Sequence, residues 1–396
     1  MFGRPGRQRE VNLILRENRA TSLPASDIYV VQGTNGNYEG VTKLIQIMGS
    51  HGLLFYKSEE EGLTKGPSGL ISKDDVIIIK VNSQWDERGG TNTDLLRALI
   101  KSIIEHPDGF IGEIIVADNG QAQYGSAPGG GGSFNYALNN AENTSQSVQE
   151  VVNYFAGSHK VSTYLWDTIT TKLVKEYFEG DMEDGYIVNT TRDPETGIMV
   201  SYPKFRTKFG TYVSFKLGIW DPNKRAYDSE RLKVINMPVL KSHSIYGVTA
   251  CVKHYMGVVS DKLTSQFGQR AHNTVGTGGM GTQMVETRFP TLNILDAIWV
   301  NAIPGNGPRT RYSDATKANV IAASIDPVAL DYWASKYILL QIARINGYSR
   351  TSSLDPDYAA PGSFGNWLRL SMQEITRSGY QATVDETRMN VYLAKV

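Results

Sequence analysis

Two short segments of this 396-residue chain gather the side chains best suited to chemistry. One reads Asn236-Met-Pro-Val-Leu-Lys241-Ser-His243-Ser244 and continues into Thr249-Ala-Cys-Val-Lys253-His254. Residues two apart in an extended segment share a face, so Lys241 and His243 point the same way. Lys253 falls on the helix expected next, where its ammonium can converge with that of Lys241 on an anion. Crowded lysines depress each other's pKa, which makes one a usable base. His243 is the best general acid/base or metal ligand in the chain. The plainer alternative is a hydrogen-bonded structural histidine with lysines on a solvated face. The cluster, rather than any one residue, favours a functional reading. The other segment is Lys80-Val-Asn82-Ser-Gln84. A lysine after four apolar residues is costly unless it reaches solvent, an anion or an acid. Lys80 and Asn82 share a face and can orient a substrate; the alternative is a lysine that only snorkels.

A second tier of residues is less specific. Asp118 ends a strand-like run and suits a metal, a hydroxyl or the following turn. Asp296 ends another run, and Asp331 lies in a helix opened by Asp326, whose capping role needs no catalysis. Asp118, Asp296 and Asp331, with His243, form a conceivable site for a divalent metal, although no spacing rule supports it. His272 offers a second imidazole, and Arg309 adds a cation beside Gly305-Asn-Gly307; both are expected to bind substrate. Gly276–Gly281 can present N–H groups to a phosphate or carboxylate, but fits neither a Walker loop nor GxGxxG after a strand. There is no HExxH, paired-cysteine or GxSxG motif.

These residues need a frame, and the runs Val76–Ile79, Ile114–Ala117, Val234–Leu240, Leu292–Ile298 and Asn319–Ala323 supply one. Continuous apolar runs without alternation suit strands covered on both faces. Thr93–His106 has helical spacing, with Thr91 or Thr93 as N-cap, so strand, helix and strand make a right-handed βαβ unit. Helices are predicted over Ile245–Met256, Pro327–Leu340 (with Asp326 as N-cap) and Phe364–Arg377. The fold class is α/β: a mostly parallel, doubly wound sheet flanked by helices, with a β-rich insertion. Residues 1–73 are read as a segment packing on the core and 74–345 as the core. It is interrupted at about 122–230 by a loop (Gly120–Thr144, expected to be long and mobile) and a β-rich excursion (Tyr186–Tyr227). Residues 346–396 make a loop and helix.

Composition excludes several classes. Apolar residues are 40%, charged residues 20% and the formal net charge is zero, a globular balance with no electrostatic footprint for nucleic acid. No apolar run reaches the ~20 residues of a membrane span, and Met1–Glu10 lacks a signal peptide's apolar stretch. The expectation is a soluble chain, cytoplasmic unless a leader was removed. Cys251 alone leaves too few thiolates for an iron–sulfur cluster or an internal disulfide. Nothing sets the oligomeric state.

The order VIIIKVN, TNTDLLRALI, EIIVADNG, VINMPVLKSHSIYGVTACVKHYMG, LNILDAI with GNGPR, and VIAASIDPVALD resembles the domain-of-unknown-function 362 family over roughly residues 74–340. The Lys-x-His and Asp-Pro-Val-Ala-x-Asp segments are the most specific. The resemblance implies a fold more than a reaction. Lys80, Asn82, Asp118, Lys241, His243, Lys253, Asp296, Asp326 and Asp331 occupy the matching positions. Many relatives carry a ferredoxin-like segment with several cysteines; this chain lacks it, which puts a redox role in doubt.

Three functions follow. The leading one is an enzyme acting on a small carboxylate or phosphate, with Lys241 and Lys253 holding the anion, His243 moving a proton, Lys80 and Asn82 orienting the substrate, and a divalent metal at Asp118 or Asp296 as an option. The second is a non-catalytic anion- or metal-binding module using the same lysines. The third is a structural or interaction protein whose working surface is the insertion.

Overall fold

A computed structural model describes residues 9–121 and 131–396; the central part of the Gly120–Thr144 loop and the first eight residues lie outside them. The apolar runs become strands because each side chain finds cover on both faces. β1 (Ser26–Gln32), β2 (Val76–Lys80) and β3 (Glu113–Asp118) are almost wholly buried. Between them lie α1 (Tyr38–Ser50) and α2 (Thr93–Ile104), which turn their apolar stripes onto the sheet. Asn92, not Thr91 or Thr93, caps α2 by accepting from the amides of Asp94 and Leu95. An amide oxygen on Cβ reaches N2 and N3 as well as a hydroxyl does.

After α3 (Val148–Ala156) comes β4 (Val161–Leu165), pairing parallel with β3. The expected β-rich excursion is an antiparallel sheet of β5 (Gly185–Val188), β6 (Ser201–Arg206), β7 (Tyr212–Ser214), β8 (Gly218–Asp221) and β9 (Ala226–Asp228). The chain then returns to the main sheet as β10 (Leu232–Asn236), on the opposite side of β2 from β3.

The single strand expected over Val234–Leu240 is two. Proline cannot donate to a ladder, and at Pro238 the chain leaves β10 and restarts as β11 (Val239–His243). The helix expected from Ile245 is also corrected. Residues Gly247–Thr249 form β12, antiparallel to β11, and helix begins only at α4 (Cys251–His254). The hairpin needs Gly247 at φ +79°, a conformation that glycine adopts without steric cost, and its apolar residues pack as strand rather than helix.

Two short helices, α5 (Asp261–Gln266) and α6 (Gly279–Glu286), lead to β13 (Leu292–Asn301) and β14 (Thr316–Ser324). β14 runs antiparallel to both β13 and β1. Asp326 caps α7 (Pro327–Ala334) with Pro327 in its first turn, as expected; the chain continues through a π-turn into α8 (Leu340–Ile345). α9 (Phe364–Arg377) precedes β15 (Met389–Lys395), which pairs parallel with β1. The sheet order is β15-β1-β14-β13-β10-β2-β3-β4. It is a mostly parallel α/β sheet flanked by helices, with the antiparallel sheet beside it. The amino-terminal segment contributes the strand next to one edge, and the carboxyl-terminal segment that edge strand.

Candidate functional site

The path β2, β3, β4 runs to one side of β2, and β10 and β13 lie on the other. Strand order thus reverses at β2, and a crevice opens beyond the carboxyl ends of β2 and β10 at this switch point. β11 extends the wall. It slides along β13 with a bulge (Val239 opposite Asp296, Lys241 opposite Asn301), which carries Lys241 and His243 past the end of β10. A cavity of about 280 Å³ results, lined by Lys80, Asn82, Trp85, Asp118, Lys241, His243, Thr249, Lys253, His254, Arg270 and His272 among others.

The floor is an ion pair. Lys80 Nζ lies 2.7 Å from Asp118 Oδ1, and Asp118 Oδ2 accepts from Ser83 N (2.8 Å) and Oγ (3.0 Å). The pair fits only because residue 257 is glycine: a Cβ there would stand 2.1 Å from Asp118 Oδ1 and 2.3 Å from Lys80 Nζ. Asn82 joins the two walls by accepting from Val239 N at 2.8 Å.

The lysines above this floor are treated differently. Lys241 donates to the carbonyl of Gly89. Lys253, on α4, is buried with its Nζ 5.4 Å from the Tyr246 ring centre, and makes no ion pair with a described residue. Burial and then Lys253 bring Lys241 down to about 7; burial, opposed by Asp261 and helped by Lys80, brings Lys253 to about 7. Two such groups titrate as a coupled pair, so near neutral pH one proton is readily lost between them.

His243 Nδ1 accepts from the amides of Ile245 (3.1 Å) and Tyr246 (3.2 Å). That fixes the neutral tautomer with hydrogen on Nε2. Burial, then Lys253, His272 and Lys241, push its pKa far below the usual imidazole range. Its ring centre lies 6.1 Å from that of His272, which burial and Lys253 lower to about 3. Two further polar groups on the cavity wall, Thr249 Oγ1 and Trp85 Nε1, are buried without a hydrogen-bond partner among the described residues.

The structure thus brings together Lys80, Asn82, Asp118, Lys241, His243, Lys253 and His272. It does not bring in the rest. Asp296 is buried among Asn92 N (3.0 Å), Asn140 Nδ2 (3.1 Å) and Ile298 N (3.2 Å), tying the loop after β3 to β13. Asp331 accepts from Cys251 N and Val252 N at 2.7 and 2.9 Å and so holds the first turn of α4. Burial raises these two carboxyls to about 6 and about 7. Arg309 lies 4.0 Å from Asp86 and is not on the cavity wall. The set Asp118, Asp296 and Asp331 with His243 is not assembled: among the described residues no three His, Cys, Asp or Glu side chains are grouped to hold a metal. The Gly276–Gly281 stretch packs against α9, where a Cβ at Gly281 would stand 2.5 Å from Ser371 O. Gly278 and Gly281 admit the close approach of α9.

Sequence reasoning missed Arg270, Thr249, Trp85 and His254 as lining residues. His254 bridges Asn236 Oδ1 (2.7 Å) and Val81 O (2.9 Å), joining α4 to β10 and β2. Arg270 reaches Asp261 at 2.6 Å, and its place one residue from Ala271-His272 was the available signal.

No helix among the described residues is long and apolar enough to cross a membrane. A thylakoid-associated protein of Synechocystis sp. is 34% identical over 126 residues, covering 31% of this chain and 37% of the relative. The chain therefore spans well under half the length of the curated relative it matches. No solved structure matches the chain. Residues 227–336 match the family described as "Domain of unknown function (DUF362)", a shorter stretch than the 74–340 of the resemblance. The matched stretch includes Lys241, His243, Lys253 and His272 of the cavity wall.

Proposed function

We propose that this protein is an enzyme acting on a small anionic substrate, a carboxylate or a phosphate, bound in the cavity at the switch point. One observation carries the reading. Two buried lysines that form no ion pair with a described residue, Lys241 and Lys253, line the same cavity as the tautomer-fixed imidazole of His243. Unpaired buried cations are costly, and an anion with several acceptor oxygens offsets that cost.

The proton-transfer role moves from the histidine to the lysines. Nδ1 of His243 is occupied by two amides, so the imidazole serves as an Nε2–H donor that orients the anion. A lysine with a pKa near 7 is both a sufficient acid and a sufficient base at neutral pH. Lys80, which burial pulls below the usual lysine range and Asp118 draws back up, adds positive field at the floor of the cavity.

The test is thermal unfolding of the purified protein against sulfate, phosphate, acetate and malonate, beside Lys241→Met. Saturable stabilisation by at least one anion, lost in the variant, is the expected result. Wild-type protein indifferent to every anion, with the variant folded and equally indifferent, overturns the reading.

A further inference from the structure

Resting on the anion-site reading, the contrast among the buried lysines carries one step further. Lys80 spends its ammonium on Asp118. Lys204, in the insertion, donates to two carbonyls and lies near Asp181. Lys241 donates to Gly89 O. Lys253 faces the same cavity with no hydrogen bond or ion pair to any described residue, beside the face of Tyr246. A lysine desolvated in a closed pocket next to other cations is the arrangement that leaves an amine uncharged and nucleophilic. Lys241, held in place beside it, is suited to a carboxylate.

We propose that Lys253 is a covalent nucleophile that forms an imine with a small 2-oxo acid, whose carboxylate sits on Lys241. The Nζ lone pair adds to the carbonyl carbon, forming the C–N bond. The two amine hydrogens leave with the former carbonyl oxygen as water, and a C=N bond to the substrate remains. No oxidant or reductant is consumed. Protonated, the imine draws electrons from the bond next to the carbonyl carbon, so the site is equipped to labilise a C–H or C–C bond there. The depressed pKa of Lys253, caused by burial and only partly offset by Asp261, supplies the free amine near neutral pH.

The experiment incubates the full chain at pH 7 with pyruvate and sodium cyanoborohydride, which reduces an imine to a stable secondary amine, and locates the adduct by peptide mass spectrometry. Expected is modification of Lys253 at least roughly tenfold faster than that of the exposed Lys43, since an ordinary lysine with pKa near 10.4 is almost wholly protonated at this pH. Lys253→Met should lose the adduct. Adduct spread evenly over surface lysines, or concentrated at Lys241, overturns the proposal. A parallel melting curve with pyruvate and no reductant separates the two readings. Stabilisation by pyruvate without adduct at Lys253 removes the imine and leaves the anion site. Neither stabilisation nor adduct removes both.

Discussion

Two parts of the molecule bury lysines, and they do so in opposite ways. In the insertion, Lys204 is fully buried, yet its Nζ donates to Lys175 O (2.5 Å) and Asp181 O (2.6 Å), lies 3.4 Å from Asp181 Oδ1, and stands 4.4 Å over the Tyr177 ring. Each of its hydrogens has a place to go. At the switch-point cavity, Lys253 has the Tyr246 ring and no acceptor among the described residues, and Lys241 has one carbonyl. A satisfied buried cation is part of the fold. An unsatisfied one facing a cavity is a cost the fold carries, and such costs gather where function requires them.

The strongest break of this comparison is to delete each kind of lysine. Removing one partner of a buried pair leaves an uncompensated charge or set of acceptors and costs about 3–5 kcal/mol. Lys80→Met, which strands Asp118, is therefore expected to destabilise by that order, and Lys204→Met by nearly as much. Lys253→Met removes a buried charge that has no ion pair with a described residue and only a longer-range attraction to Asp261, and is expected to leave stability unchanged or raise it by about 1 kcal/mol. Urea unfolding of the three variants at pH 7 orders them. If Lys253→Met were as damaging as Lys204→Met, the distinction between structural and functional lysines would not stand.

The next test is pH. Lys241 and Lys253 fall from 10.5 unfolded to about 7 folded, so between these values the unfolded chain binds more protons. Their destabilisation is full below pH 7 and relieved as pH rises toward 10.5, with a slope of at most about 1.4 kcal/mol per pH unit for each group. The buried Asp331 works from the other side. Its pKa rises from 3.8 to about 7, mainly through burial, so stability declines as pH rises through that interval. The empty protein is expected to show a stability minimum near pH 7, which Lys253→Met makes shallower on its alkaline side and a bound anion fills. A monotonic profile from pH 5 to 9 would contradict the pairing of these groups.

How far this was legible in sequence follows from the range of the interactions. Lys80, Asn82, Asp118, Lys241 and His243 could be read because strand ends follow from apolar runs, and ligands gather at strand ends. Lys253 came with them because its segment is close in sequence. The hairpin at Gly247 was not legible: Ile245–Met256 has apolar spacing that suits a helix, and only pairing with β11 decides otherwise. Asp296 and Asp331 look like catalytic carboxylates until the amides they accept from are known, and Asn92 and Cys251 lie 204 and 80 residues away. β1 and β15 pair across nearly the whole chain, a contact that no local window contains. That Lys253 makes no hydrogen bond or ion pair with a described residue, which carries the functional argument, is a three-dimensional fact.

His243 gives the smallest but sharpest effect, because it sits beside the two titrating lysines and carries no charge of its own. Its Nδ1 accepts from two backbone amides, a role that the Oδ1 of asparagine, which sits at the same number of bonds from the backbone, also fills. His243→Asn is expected to fold with a loss of about 1 kcal/mol or less, the net worth of a typical hydrogen bond. It loses the Nε2–H, and a hydrogen bond to a charged acceptor is worth about 1.5–3 kcal/mol, or roughly 10- to 100-fold in anion affinity. The decisive readout is the pH dependence of anion binding. If His243 is only a donor, the variant binds more weakly at every pH while the titration midpoint, set by the lysines, stays where it was. A midpoint that moves in His243→Asn would mean that the imidazole itself takes up the proton, and the contrast between a neutral donor and two titrating amines would have to be redrawn.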